Sequence, residues 1–145
     1  MRDIVHVEIH AAQETVAELF SDPARSTGWM EDLERYEPIT GAPGFPGSTY
    51  RLISKSGNMD FLATVVSREL PNYVNLVLES PAVHVSINAA FERAPSGATR
   101  LVSTEDFRFK SVLGKLTSVF AKPAIHAAHQ KQMDAFKRFA EDTRR

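Results

Sequence analysis

The sequence of 145 residues contains no cysteine. This absence excludes a disulfide scaffold, a thiolate-ligated zinc finger, a cysteine nucleophile and a cysteine-held iron–sulfur cluster, and it is compatible with a reducing compartment. The first residues alternate polar with apolar side chains, whereas a secretory signal needs an uninterrupted apolar stretch of about 7 to 15 residues. We therefore expect a cytoplasmic protein.

Long apolar runs and an excess of charge of one sign are also missing. No stretch approaches the roughly 18 apolar residues of a membrane-spanning helix, so we predict no integral membrane association. Lys and Arg number 17 against 18 Asp and Glu, a net charge of −1, which provides no global basic field to attract nucleic acid. A chain of this length buries one sizeable core, and we expect a single domain over residues 1–145.

Common catalytic and cofactor motifs are absent as well. No Ser lies in G-x-S-x-G, no glycines match a dinucleotide-binding or phosphate-binding loop, and there is no H-E-x-x-H. The pairs His126/His129 and His6/His10 could each share a face, but neither has a third ligand at a recognisable spacing. We predict no metal site and no cofactor, and we interpret these side chains as solvated or hydrogen-bonded.

The sequence does contain a series of strand patterns. Val5, Val7 and Ile9 alternate with polar residues in the first strand, residues 4–10, and helical spacing follows from Ala11. A shorter helix is predicted over residues 24–29. Turn residues separate the later strand patterns, and such short links favour antiparallel neighbours. The later predicted strands are 36–40, 48–54, 59–70, 73–80, 83–93 and 99–109.

A loop and a long helix complete the pattern. Residues 41–47 are rich in Gly and Pro, which predicts an irregular loop. From residue 111 to the end, apolar residues recur every three or four positions, which predicts an amphipathic helix that Pro123 kinks or divides. These apolar residues are Leu113, Leu116, Phe120, Ala124, Ala127, Ala128, Ala135, Phe136 and Phe139.

Several local motifs occur in a characteristic order along this pattern. They are Ile9-His10-Ala11 followed by Val16, Phe20, Asp22 and Trp29, then Pro46-Gly47-Ser48, Pro71 and Phe136-Lys137-Arg138-Phe139-Ala140-Glu141. Together with the order of the elements, they resemble the START-like or SRPBCC superfamily, which includes the birch-pollen-allergen-like proteins, and in particular its polyketide cyclase/dehydrase-type branch.

The resemblance implies an α+β helix-grip fold. In such a fold a curved antiparallel sheet of about six or seven strands wraps around a long C-terminal helix, with two short helices after the first strand. It also implies an apolar cavity between sheet and helix that holds a hydrophobic small molecule, and a mobile loop at residues 41–47 beside its mouth that could act as a lid.

Strand alternation predicts which side chains face that cavity. Phe107 and Phe109 set the register of the last strand, so Ser103 and Glu105 face inward, and Glu105 is the one carboxylate predicted there. Burial without a partner would raise the pKa of Glu105. His126 or His129 could approach the same space. The predicted ligand-binding residues are Trp29, Tyr50, Leu76, Val85, Ile87, Phe91, Ser103, Glu105, Phe107 and Phe120.

Structural roles compete with these assignments. Trp29 and the apolar strand residues could simply fill the core, and Glu105 could pair with a nearby Arg. Three functions remain open: a carrier or sensor of a lipid, isoprenoid or polyketide-like molecule; a polyketide cyclase or dehydratase-like enzyme with Glu105 or Tyr50 as acid or base; and a protein-interaction or stress-response module. A monomer and a homodimer are both compatible with the sequence.

Overall fold

A computed structural model describes residues 1–57 and 60–143. Within these residues, seven strands and two α-helices form the fold, with a 3₁₀ segment at Pro23–Gly28. In chain order they are β1 Arg2–Ile9, α1 Gln13–Ser21, β2 Leu33–Thr40, β3 Thr49–Ser54, β4 Phe61–Glu69, β5 Tyr73–Glu79, β6 Val83–Arg93, β7 Thr99–Phe109 and α2 Val112–Thr143. Met59, the predicted start of the fourth strand, lies outside the described residues.

All seven strands belong to one antiparallel sheet in the order β1-β7-β6-β5-β4-β3-β2. From β2 to β7 each strand pairs with the next one along the chain, and β1 forms the other edge by pairing with β7. The antiparallel neighbours predicted from the short links are therefore present. The edge strand β2 carries Glu34, Arg35, Glu37 and Pro38, residues that discourage pairing with another chain. The predicted helix at residues 24–29 is a 3₁₀ segment, capped by the Asp22 side chain on the Ala24 N–H at 3.0 Å.

The core lies between the concave face of the sheet, α1 and the second half of α2. An aromatic cluster lies at its centre. The ring centroid of Phe136 is 5.2 Å from that of Phe20 and 5.1 Å from that of Trp29. Phe20 also stacks on Trp29 at 5.4 Å and meets the edge of Phe91 at 5.7 Å. This cluster joins α1, the 3₁₀ segment, the sheet and α2.

A kink or a division was expected at Pro123, and of these the division does not occur, because helix α2 is continuous through Pro123. Its buried residues, from His129 to Ala140, all lie in its second half. The first half leaves Leu113, Leu116 and Phe120 exposed, so the apolar stripe predicted for this helix is buried only in its second half. No helix among the described residues has the length and apolarity needed to cross a bilayer.

The loop at residues 41–47 is tied to the body of the protein. Arg68 of β4 donates a hydrogen bond to the Gly44 carbonyl at 2.9 Å, and its guanidinium lies 4.3 Å from the centroid of the Phe45 ring. The Gly47 N–H donates to the Val65 carbonyl at 2.8 Å. The loop is irregular as predicted, but it is anchored at several points.

Candidate ligand-binding site

Two adjoining cavities lie between the sheet and α2. The outer cavity, about 480 Å³, has apolar walls that include Leu33, Phe61, Val85 and Phe107, and polar residues at Asp32, Ser54, Glu105, His129 and Gln132. The inner cavity, about 70 Å³, reaches the aromatic cluster. Met30, Leu52, Leu78, Glu105 and Gln132 line both cavities. Neither lining contains residues of the 41–47 loop, which differs from the expectation of a lid.

Most of the predicted ligand-binding residues meet at these cavities. Val85 and Phe107 line the outer cavity, Trp29, Tyr50, Leu76, Ile87 and Ser103 line the inner one, and Glu105 lines both. Phe91 belongs to the core and lines neither cavity. Phe120 is 87% exposed and lies on the opposite side of α2 from the residues that face the sheet, so its prediction as a cavity residue is wrong in location.

Glu105 is a half-buried carboxylate at the junction of the two cavities. Its side chain is 15% exposed and makes no hydrogen bond within residues 1–57 and 60–143. Desolvation, and then the negative charge of Asp3, raise the pKa of Glu105 to about 7. The carboxyl group is therefore close to half-protonated at neutral pH and can either donate or accept a hydrogen bond.

A hydrogen-bond chain stands behind Glu105. His129 Nδ1 lies 2.8 Å from Asp3 Oδ2, and His129 Nε2 lies 2.8 Å from Ser103 Oγ. Burial and the charge of His126 together lower the pKa of His129 more than Asp3 raises it. The neutral ring therefore donates from Nδ1 to Asp3 and accepts from the Ser103 hydroxyl. The Glu105 carboxylate approaches the same Nδ1 at 3.4 Å. This chain fixes the orientation of the imidazole at the cavity wall.

Asp3 holds a second histidine. His126 Nδ1 lies 2.8 Å from Asp3 Oδ1. Burial disfavours the charged form of Asp3, but the hydrogen bonds and the charges of His129 and His126 together outweigh it and lower the pKa of Asp3. The described residues contain no group of three or more His, Cys, Asp or Glu side chains that could hold a metal ion.

The order Ser103–His129–Asp3 resembles a nucleophilic triad, but its setting is structural. Ser103 is 1% exposed and lies in the middle of β7, paired with Val5 of β1 and Ala89 of β6. Strand pairing on both sides engages the neighbouring backbone N–H groups, which an oxyanion hole would need. The chain therefore positions His129 and connects α2 to the first and last strands.

Asp3 was not among the predicted residues, although strand alternation marks it. It has the same parity as Val5, Val7 and Ile9, so the period of two places its side chain on the buried face of β1. Asp32, which lines the outer cavity and accepts a hydrogen bond from the Ser56 hydroxyl at 2.8 Å, is a second carboxylate that the prediction of a single inward acid missed.

Polar groups without hydrogen-bond partners surround the inner cavity. Ser21 Oγ and Trp29 Nε1 are buried and make no hydrogen bond within the described part of the chain. Tyr50, Glu105 and Gln132 also line this cavity, and no side-chain hydrogen bond joins them to another described residue. Burial raises the pKa of Tyr50 to about 12, so its hydroxyl remains protonated. Buried polar groups normally have partners, so Ser21 Oγ and Trp29 Nε1 are two exceptions, and both residues border the inner cavity.

The sequence matches one family model over residues 4–141, nearly the whole chain: polyketide cyclase / dehydrase and lipid transport. The chain belongs to this family. Membership implies a cavity that binds a hydrophobic ligand, and it confirms the resemblance drawn from the sequence. A search of curated proteins finds no match.

Solved structures with the same helix-grip fold match nearly the whole chain. TTHA0849 from Thermus thermophilus has a TM-score of 0.79 at 12% identity, with 99% of each chain covered. Ara h 8.0201 has a TM-score of 0.73 at 12% identity, with 97% of each chain covered. The di-domain ARO/CYC BexL from the BE-7585A biosynthetic pathway has a TM-score of 0.75 at 17% identity, and the match covers 98% of this chain and 49% of BexL. These likenesses confirm the fold.

The Asp3→Asn variant tests the electrostatic coupling at the site. Loss of the negative charge is expected to lower the pKa of Glu105, while burial still holds it above its ordinary value. At pH 5, where Glu105 is protonated in both proteins, the weaker hydrogen bonds to His126 and His129 should cost about 1–2 kcal/mol of unfolding free energy. Carbon NMR titration of the Glu105 carboxyl and urea denaturation measure the two effects.

Asp106→Asn is the matched control for Asp3→Asn. Asp106 lies on β7 opposite Arg2 and forms an exposed ion pair with it at 2.9 Å. Exposed pairs contribute at most about 1 kcal/mol, and the pKa of Glu105 should not change. An unchanged Glu105 titration in Asp3→Asn would contradict the coupling.

Proposed function

We propose that the protein is a carrier or sensor that binds an amphipathic small molecule with its polar end in the inner cavity. The observation that carries the proposal is that two buried polar atoms without hydrogen-bond partners, Ser21 Oγ and Trp29 Nε1, belong to residues that line a space of about 70 Å³. This space adjoins the apolar walls of the outer cavity. A hydroxyl or carbonyl group would fit the inner cavity, and an apolar body would fill the outer one.

The size and chemistry of the outer cavity support this orientation. Its volume of about 480 Å³ falls within the range of about 300–1,000 Å³ that is usual for small-molecule sites. A site of this kind needs apolar walls and a few placed polar groups, and Glu105 and Gln132 stand where the two spaces meet. Lipids, isoprenoids and polyketide-like molecules with one oxygenated end belong to this class.

The test combines ligand extraction with a variant that blocks the junction. Mass spectrometry of the native and solvent-extracted protein should detect a bound amphipathic molecule, and the wild type should bind the probe 1-anilinonaphthalene-8-sulfonate. Leu78→Trp places a large ring where both cavities share a wall, and it should weaken probe binding at least about tenfold. Val66→Trp, on an exposed position of β4, is the control. Equal binding by both variants would overturn the proposal.

A proton-transfer enzyme is the second candidate, and the raised pKa of Glu105, about 7, favours it. A carboxyl group that titrates near neutral pH can remove a proton next to a carbonyl and return it elsewhere. Aldol closure or dehydration of a poly-β-ketone chain, as in a polyketide cyclase or dehydratase, requires such transfers.

The enzyme candidate has its own test. Deuterium exchange at the central carbon of acetylacetone, followed by NMR, should be faster with the wild type than with Glu105→Gln, with an inflection near the pKa of about 7. Glu105→Gln is nearly isosteric and should still bind the fluorescent probe. Equal exchange rates in the two proteins would remove Glu105 as the base and leave the carrier proposal intact.

A further inference from the structure

The first half of α2 exposes its large apolar side chains. Each of five residues in its first three turns is at least 61% exposed: Val112, Leu113, Leu116, Val119 and Phe120. At 100° per residue they occupy an arc of about 120°, so they form one continuous face. We call this face the apolar ridge.

The ridge points away from the protein. The half-buried positions of the same segment are Gly114, Ser118, Ala121 and Ile125, which lie on the opposite side of the helix. A Cβ added at Gly114 would stand 2.9 Å from Ser111 Oγ and 3.5 Å from Phe109 Cβ, so small residues allow close approach to the end of β7. An ordinary surface helix buries its large apolar residues; this segment presents them to the surroundings.

Charge in this part of the chain has one sign. No Asp or Glu occurs between Asp106 and Asp134, whereas Arg108, Lys110, Lys115, Lys122 and Lys131 fall within that interval. Lys115 and Lys122 lie along one edge of the ridge on the helical wheel and form no ion pair with any residue that the structure describes. An apolar face bordered by cations is complementary to an anionic lipid surface.

We propose that the apolar ridge is a docking surface for an anionic lipid bilayer. Leu116 and Phe120 enter the boundary between headgroups and acyl chains, and Lys115 and Lys122 contact the lipid phosphates. A second copy of the chain fits the ridge less well, because a two-fold interface would bring the same lysines together. Further along α2, Ile125 and Ala128 line the outer cavity, so the docked helix would place that cavity near the source of an apolar ligand. Only this delivery step rests on the proposed function; the docking does not.

The test measures co-sedimentation of the full chain with vesicles of phosphatidylcholine alone and with about 30 mol % phosphatidylglycerol. The wild type should bind the anionic vesicles, and rising salt should weaken the binding. The double variant Leu116→Ser/Phe120→Ser should reduce apparent affinity at least about tenfold. Lys115→Gln/Lys122→Gln should reduce binding to the anionic vesicles and leave the weaker partition into phosphatidylcholine unchanged.

Ile39→Ser/Val66→Ser is the matched control, because both residues are exposed apolar side chains away from the ridge. It should bind vesicles like the wild type. The docking proposal is overturned if the wild type binds neither vesicle, if the control loses as much affinity as the ridge variant, or if both vesicles bind equally. It is also overturned if the wild type is a dimer that Leu116→Ser/Phe120→Ser dissociates. Binding of the fluorescent probe by Leu116→Ser/Phe120→Ser separates membrane docking from ligand binding. If this variant loses vesicle binding but still binds the probe, the proposed function of the cavity is unaffected.

Discussion

As the pH rises from 5 to 8, the unfolding free energy of the Glu105→Gln variant is expected to increase by about 2–3 kcal/mol relative to that of the wild type. The pKa of Glu105 is raised from 4.5 to about 7 by burial and by Asp3. A raised pKa in the folded state means that the wild type has its full stability below the pKa of the unfolded chain. That stability declines as the pH rises from about 4.5 to about 7, since the unfolded chain releases the proton first. The Gln variant has no such loss.

Urea denaturation of the two proteins at both pH values measures the effect. Glu79→Gln is the informative comparison, since hydrogen bonds from Lys110, at 2.7 Å, and from His84 lower the pKa of Glu79 to about 2. Its contribution is present above the pKa of the unfolded chain and is lost as the pH falls, so the same substitution there should destabilise the protein at neutral pH. A constant difference between Glu105→Gln and the wild type across the range would show that Glu105 ionises freely in the fold.

Phe136→Ala should have the largest effect on stability at a fixed pH, a loss of about 3–5 kcal/mol. The Phe136 side chain is fully buried and lies in edge contact with the rings of both Phe20 and Trp29. Its removal leaves a void where α1, the 3₁₀ segment and α2 meet, and the rigid rings around it cannot close that void. Because Trp29 also lines the inner cavity, the variant should weaken probe binding as well.

Phe120→Ala provides the control for Phe136→Ala on the same helix. The Phe120 side chain is 87% exposed, so its truncation should change the unfolding free energy by no more than about 0.5 kcal/mol. Thermal and urea denaturation compare the two variants directly. Similar losses in both would mean that the first half of α2 packs against the protein more closely than its exposure indicates.

Strand periodicity made the sheet side of the site predictable. The register of β7, fixed by Phe107 and Phe109, placed Glu105 inward, and the structure puts it at the junction of the cavities. The bounds of β6 and β7 agree with the prediction, and β2 begins at Leu33 rather than at residue 36. Alternation along a strand decides the inward face for every residue at once, which is why one register sufficed.

The helix side was less predictable for a physical reason. A stripe of apolar residues along a helix shows that one face is apolar, but it does not show whether that face meets the sheet. The second half of α2 buries its apolar residues against the sheet. In the first half, the small residues Gly114, Ser118 and Ala121 are half-buried and Phe120 is exposed. The hydrogen bonds of Asp3 with His126 and His129 join residues more than a hundred positions apart. Only the topology of the fold brings such residues together, so no local sequence pattern indicates the contact.

The pairing of β1 with β7 sets when the site can form during synthesis. Val5 lies opposite Ser103, so the first strand emerges from the ribosome long before its partner strand exists. Pairings of such sequence separation are slow to form, since loop-closure entropy is lost before the contacts are gained. The Asp3–His129–Ser103 chain then requires α2 as well, so ligand binding should appear only after α2 has left the ribosome.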